Sequence, residues 1–208
     1  MTKRTIVAVG GFTSDSGKTT LMCELLRGLP GWEAVKMTRG HYRSCGKDPH
    51  ACCVSHLLGE DEPLVRSGRA ETEQPGKDTG KYWEAGAANV HWAIVTDRQV
   101  ERGIELALAR VRSPGVLVEG NSFLRHVSAD FTLMVARPDR LQIKPTARRV
   151  LDKVSAFYLS GDGGGAASAL HSFDAWRESQ ELPGPAARAP VYTREDLPRL
   201  LAQLRLKG

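Results

Sequence analysis

The sequence predicts an α/β fold, a mostly parallel sheet with helices on both faces, and three observations lead there. Short apolar runs rich in β-branched or large residues recur at residues 5–9, 34–37, 90–95, 116–118, 131–136, 156–159 and 190–192. Most lack period-two alternation, so they read as strands covered on both faces. Helical patterns lie between several of them, and strands alternating with helices imply parallel pairing through crossovers. At the first strand-to-helix junction stands a glycine-bounded loop, Gly11-Phe12-Thr13-Ser14-Asp15-Ser16-Gly17-Lys18-Thr19-Thr20. It places a ligand at the carboxyl ends of the strands.

In chain order, the run at 5–9 leads directly into that loop and then into a helical pattern over 18–29. Strand, loop and helix follow in the order a P-loop requires. Glycines let backbone N–H groups approach phosphate oxygens, and the following helix presents the positive end of its dipole. Gly11, Thr13, Ser14, Asp15, Ser16, Gly17 and Thr20 are therefore candidate phosphate-cradling residues. Lys18 would neutralise the β- and γ-phosphates, and the Thr19 hydroxyl would ligate Mg²⁺. The alternative is a Gly/Ser turn that happens to contain Lys-Thr-Thr. Five residues separate Gly11 from Gly17, where the standard pattern has about four. Phe12 stands where that pattern places its first glycine.

Lys36 closes the second strand and is either a contact in the same crevice or a solvated lysine. Residues 38 to about 80 are polar and rich in Gly, Pro, Cys and His, too long for a passive connection, and read as a functional excursion. Asp78 lies in a turn-rich segment before a helical stretch at 82–88, as a site residue or a helix cap. After the run at 90–95, a helix is predicted over 97–112, with Val100, Ile104, Leu108 and Val111 on one face. The run at 116–118 ends in Glu119-Gly120. An acid is expensive in such a core unless paired or bound to a cation, so Glu119 reads as a Walker-B-type acid that holds Mg²⁺ or polarises the nucleophile. An exposed strand-end glutamate is the alternative. Residues 161–167 read as a flexible loop and 181–189 as a Pro/Ala-rich linker. A helix over 194–206 follows Thr193, with Asp196 three residues on in a near capping box.

A chain of 208 residues is expected to form a single domain, 1–208, interrupted by the excursion. A net charge of +5 suits an anionic ligand, but without a Lys/Arg-rich block it does not argue for a nucleic-acid partner. Met1-Thr2-Lys3-Arg4 runs straight into a strand and no long apolar span exists, so a cytoplasmic location and no membrane partner are expected. Four cysteines in such a chain point to thiols or metal ligands rather than structural disulfides.

Together these segments resemble the MobB family of P-loop GTP-binding proteins, which assist attachment of a guanine nucleotide to molybdopterin. The likeness rests on Gly-Lys-Thr-Thr, strand-end Lys36, Pro75-Gly76-Lys77-Asp78-Thr79 followed by Glu84-Ala85-Gly86-Ala87, Leu117-Val118-Glu119-Gly120, and Ser160-Gly161-Asp162. It implies a SIMIBI-type P-loop NTPase fold, GTP with Mg²⁺, a homodimer, a molybdopterin nucleotidyltransferase as partner, and slow hydrolysis served by Lys18 and Glu119. The five-residue spacing between Gly11 and Gly17 instead looks like the loop of dethiobiotin synthetases. Thr13 stands where ParA-like members of the superclass carry a signature lysine. No Asn-Lys-x-Asp guanine motif is present, which leaves GTP and ATP both open. Asp162 is the candidate base contact, or a solvated loop aspartate.

Cys45, Cys52 and Cys53 fall with His41, His50 and His56 within sixteen residues. Thiolate and imidazole ligate zinc and softer transition metals, so Cys45, His50, Cys52 and Cys53 form a candidate metal set. The spacing lacks a paired Cys-x₂-Cys knuckle, and unliganded loop thiols are the alternative. That cluster motivates a competing function, since nickel-insertion GTPases also carry a Cys/His element beyond the P-loop. A third reading is a small-molecule kinase or ligase of the dethiobiotin-synthetase type, its substrate held by residues 38–80 and by Asn121-Ser122.

Overall fold

The structure, a computed structural model, describes residues 4–40, 57–58, 61–161 and 165–207. The chain runs β1 (Thr5–Gly11), α1 (Lys18–Gly28), β2 (Glu33–Arg39), β3 (Leu64–Ser67), α2 (Arg69–Thr72), α3 (Asp78–Glu84), β4 (Val90–Val95) and α4 (Val100–Arg110). It continues through β5 (Gly115–Glu119), β6 (Phe131–Ala136), α5 (Pro145–Arg148), β7 (Ala156–Leu159), α6 (Ala166–Glu178), α7 (Gly184–Arg188), β8 (Val191–Tyr192) and α8 (Leu197–Arg205). The strands form one sheet in the order β3-β4-β2-β5-β1-β6-β7-β8. Every neighbouring pair is parallel except β3, which runs antiparallel to β4.

Two apolar layers explain the continuous apolar runs. Val7 and Val9 of β1 and Leu133 and Val135 of β6 face one layer, whereas Ala8, Met134 and Ala136 face the other. The first layer is covered by α1, α3 and α8 through Leu21, Leu25, Tyr82, Leu200 and Leu204. The second is covered by α4 and α6 through Val100, Ile104, Ala169 and Phe173. With both faces apolar, alternation disappears from the sequence although it persists in space. No helix among the described residues is long and apolar enough to cross a membrane.

Four local expectations change. The segment read as a polar excursion contains regular structure, β3 and α2, and among the described residues β3, a short edge strand, pairs with β4 alone. Residues 161–167 do not form a loop throughout, because α6 begins at Ala166. The expected linker at 181–189 contains α7, whose Ala186 is fully buried. The helical stretch expected at 82–88 starts earlier, at Asp78, with Lys77 as its N-cap, so Asp78 sits in the first helical turn rather than capping it. The capping box at Thr193 and Asp196 is formed, with the Thr193 N–H donating to the Asp196 carboxylate at 2.9 Å.

Candidate functional site

β1 lies between β5 and β6, and the strand order reverses there, which opens a crevice at its carboxyl end. The chain leaves β1 through Phe12, whose N–H donates to the Val135 carbonyl at 2.9 Å and whose carbonyl accepts from the Lys144 N–H at 3.0 Å. Its fully buried ring packs among Phe157, Phe173 and Trp176, with centroids 6.1, 6.4 and 4.9 Å away. The extra residue of the loop is thus spent on the core, and the loop itself begins at Thr13.

Asn121, two residues past the end of β5, grips the end of β1: its Oδ1 accepts from the Gly11 N–H at 2.8 Å and its Nδ2 donates to the Gly11 carbonyl at 2.9 Å. A Cβ at Gly11 would come within 2.2 Å of Ser16 Oγ and 2.9 Å of the Lys18 side chain, so only glycine lets the loop fold back there. Gly17 has φ +86° and would press a Cβ to 2.7 Å from Ser160. The Ser160 hydroxyl donates to the Ser16 carbonyl at 2.6 Å and fixes the loop to β7. Ser14, Asp15 and Thr20 are exposed, and Ser16 is buried under the loop.

Lys18 arches over this loop, with Nζ donating to the carbonyls of Thr13 at 2.9 Å and Ser14 at 3.0 Å. Burial pushes its pKa down to about 8, against the attraction of Glu119 and with added repulsion from Lys144 and Lys36. With Ser16 Oγ at 3.4 Å as its third acceptor, the ammonium is held by neutral oxygens of the loop at the place where phosphate oxygens would be far stronger partners.

Register supplies the acid. Glu119 of β5 lies beside Val9 of β1 on one side and Lys36 of β2 on the other. It is buried, and Lys36 Nζ lies 2.6 Å from its Oε1 and 2.7 Å from Asp78 Oδ2. The Tyr82 hydroxyl donates to Glu119 Oε2, and Thr19 Oγ1 lies 3.4 Å from the same oxygen. Burial alone would lower the Lys36 pKa, but Glu119 and Asp78 outweigh it and hold it above the usual lysine value. Burial would raise Asp78, and hydrogen bonds with Lys36 and Thr19 pull it below the usual carboxylate range instead. Tyr82 is wholly buried, which, with Glu119 beside it, pushes its phenol well up. Lys36 is thus not a solvated lysine, and Glu119 is not an exposed strand end.

The oxygen donors fit a magnesium ion. Thr19, Glu119 and Asp78 are hard ligands of the kind Mg²⁺ takes alongside phosphates. The Lys36 ammonium already supplies positive charge between the two carboxylates. Tyr82, which orients Glu119, was not legible in the sequence as a site residue. Its only signal was its place in the segment that follows Asp78. Arg39 and Lys144, which line the crevice, also went unseen.

The loop separates two clefts. One, of about 330 Å³, lies over the first turns of α1 between Thr20, Glu24, Tyr158 and Gly161. The other, of about 420 Å³, lies beyond Lys18 and Glu119 at the ends of β2 and β5. A larger hollow of about 880 Å³ between α6 and β8 contains no loop residue. Cys45, His50, Cys52, Cys53 and Asp162 lie outside the described residues. Cys23 is buried in α1, 3.6 Å from the Lys81 carbonyl. Among the described residues, no group of three His, Cys, Asp or Glu side chains is placed to hold a metal ion.

No protein-family model matches the chain, and no curated protein matches it in sequence. Among solved structures it is similar to LpxK from Aquifex aeolicus in complex with ATP, at 16% identity and a TM-score of 0.51. That match covers 91% of this chain and 53% of the other, so the chain spans about half the length of LpxK. It is also similar to HypB from Helicobacter pylori in complex with nickel, at 14% identity and a TM-score of 0.51, covering 97% of this chain and 86% of HypB. At these identities the likeness is one of fold: the molecule has the mostly parallel α/β architecture of P-loop NTPases.

Proposed function

We propose that the chain binds a magnesium nucleoside triphosphate, GTP by the likeness of its motifs, and hydrolyses it slowly. On the same likeness it serves as a MobB-like homodimeric accessory to a molybdopterin nucleotidyltransferase. One observation carries the nucleotide reading: Lys18 on its loop, Thr19, Glu119, Lys36 and Asp78 meet at the crevice beside β1, although two strands and two helices supply them. A chance Gly/Ser turn would not recruit a buried acid and a largely buried lysine from neighbouring strands.

The chain's own groups would act as follows. Backbone N–H groups over residues 13–19 receive phosphate oxygens. Lys18 exchanges its two carbonyl partners for the β- and γ-phosphates and offsets the charge that develops as the terminal phosphoryl group leaves. Thr19 and Glu119 hold Mg²⁺, which supplies further charge neutralisation when bound. Tyr82 and Lys36 fix the Glu119 carboxylate so that it can orient the attacking water. Every contribution is electrostatic or positional, which suits slow turnover until a partner completes the site.

The test is thermal unfolding of wild type and Lys18→Ala with magnesium GTP and ATP. Ligand at one hundred times its Kd adds about 2.7 kcal/mol of stability, and Lys18→Ala is expected to lose that shift. Equal shifts in both proteins would refute the phosphate-loop assignment. Co-elution with a molybdopterin nucleotidyltransferase in the presence of GTP tests the accessory role, and light scattering of the free protein tests the homodimer.

A further inference from the structure

The cleft beyond Lys18 holds more positive charge than a terminal phosphate and its magnesium ion call for. Lys18, Lys36, Arg39 and Lys144 line it, against two carboxylates, Asp78 and Glu119. Lys18 belongs to the loop, and Lys36 is matched by both carboxylates at 2.6 and 2.7 Å. Arg39 and Lys144 remain. Arg39 meets Asp97 at 2.9 Å, but Asp97 is largely exposed, and such a pair contributes little to holding the guanidinium in place. Lys144 is only partly exposed and its ammonium has no partner among the described residues. Its backbone is fixed by the N–H donated to Phe12, so the ammonium is tethered at the rim of the loop.

The polar groups around these cations are also left open. Among the described residues, the hydroxyls of Ser122 and Thr146 make no hydrogen bond, and Thr38 accepts from the Trp92 indole at 2.8 Å while its own O–H finds no acceptor. Burial lowers the Lys144 pKa, and the charges of Arg39 and Lys36 lower it further against the pull of Glu119. A confined cation beside two others is stabilised by an anion, and idle hydroxyls are the donors that orient one.

Position decides the size of the ligand and where it lies. On the nucleotide reading above, the nucleoside lies in the cleft over α1, which Thr20, Tyr158 and Gly161 line, and the triphosphate runs along the loop to Lys18 and Thr19. The second cleft begins at Lys18 and Glu119, where that chain of phosphates ends. Its volume of about 420 Å³ suits a small molecule rather than a polypeptide.

We propose that this cleft binds a second ligand, a small molecule bearing a phosphate or carboxylate group, with the oxyanion held by Lys144 and Arg39 at the terminal-phosphate end of the nucleotide. This rests on the nucleotide reading, and the experiment separates the two. Affinity for Mg·GMPPNP and Mg·AMPPNP is measured first on the full chain by calorimetry. If neither binds, the nucleotide reading fails and the second site falls with it.

With the better analogue saturating, inorganic phosphate and malonate are titrated in turn. Saturable binding of phosphate alone assigns a phosphate ester, and binding of malonate alone a carboxylate; binding of both supports the site for either. Lys144→Met and Arg39→Met, which keep the side-chain stems, are each expected to weaken that second binding by about tenfold or more. Their affinity for the nucleotide analogue is expected to stay within about twofold. Lys144→Gln serves as a second variant if the methionine lowers the melting temperature. Absence of saturable binding of either probe, or second binding unchanged in both variants, overturns the proposal. So does loss of analogue binding in Lys144→Met, which would place Lys144 on the triphosphate itself.

Discussion

Phe12 illustrates how one residue can belong to the core and set the geometry of a site. Its ring fills an aromatic cluster while its backbone joins β6 and the Lys144 segment, so loop and core are built on the same residue. Phe12→Ala is expected to cost about 3–5 kcal/mol in denaturant unfolding, as for a fully buried aromatic, and to weaken nucleotide binding as well. A loss below about 1 kcal/mol would mean that the cluster repacks and does not hold the loop. On the proposed function, Glu119 would act in the opposite sense, on chemistry more than on binding. Glu119→Gln keeps the shape and removes the charge that faces Thr19, Lys36 and Tyr82. Nucleotide binding is expected to persist while single-turnover hydrolysis falls by about a hundredfold or more. Unchanged hydrolysis would move the water-orienting role to another group.

Away from the crevice, β2, β3 and β4 are tied together at their opposite end by buried polar contacts. His91 Nε2 lies 2.6 Å from Glu33 Oε2 and its Nδ1 lies 2.9 Å from Ser67 Oγ. Glu33 Oε1 accepts the N–H groups of Arg112 and Ser113, each at 2.8 Å, and so anchors the turn into β5. Burial lowers the His91 pKa below its ordinary 6.5; Glu33 opposes this, and Arg110 and Arg4 add to it. The unfolded chain therefore takes up this proton first, and stability falls as pH drops below 6.5 until it passes the folded value. Burial would raise Glu33, yet the bonds from His91, Arg112 and Ser113 hold it below its ordinary 4.5. Its contribution is present above 4.5 and is lost as pH falls through the lower folded value. Urea unfolding is expected to show acid destabilisation in these two windows, with the upper one abolished in His91→Gln. An unaltered pH slope in that variant would assign the effect to other groups.

For the molecule as a whole, α3 connects the crevice to the sheet edge. Asp78 meets Lys36 of β2, Tyr82 meets Glu119 of β5, and the Trp83 indole donates to Thr72 of α2 at 2.9 Å. A change in what Glu119 and Lys36 bind must therefore alter the partners of α3. Hydrogen exchange over residues 69–86 is expected to differ between the Mg·GTP-analogue and Mg·GDP states, while α6, which shares no such contact, stays constant. Equal exchange in both states would show that α3 does not register the nucleotide.

Much of this architecture is legible locally. The strands at Val90–Val95, Phe131–Ala136 and Ala156–Leu159 match their apolar runs residue for residue, because buried parallel strands advertise themselves by composition. Lys18, Thr19 and the two glycines stand out as candidates from spacing, since the residues of a loop are contiguous in the chain. β3 was not, because four residues on an edge carry too little apolar signal and gain their order from β4. α6 was hidden for a related reason, as only Ala169 and Phe173 of its thirteen residues are buried. Asp78 and Lys36 could be suspected from their positions, but not that one ammonium bridges two acids.

The sequence by itself determined the α/β class, the loop and the acid that ends β5. Only the tertiary structure decided the strand order, the aromatic role of Phe12 and the joining of Tyr82 and Lys36 to Glu119. Those contacts span 37 and 83 residues of chain, and their energy exists only once parallel strands have aligned Lys36 beside Glu119.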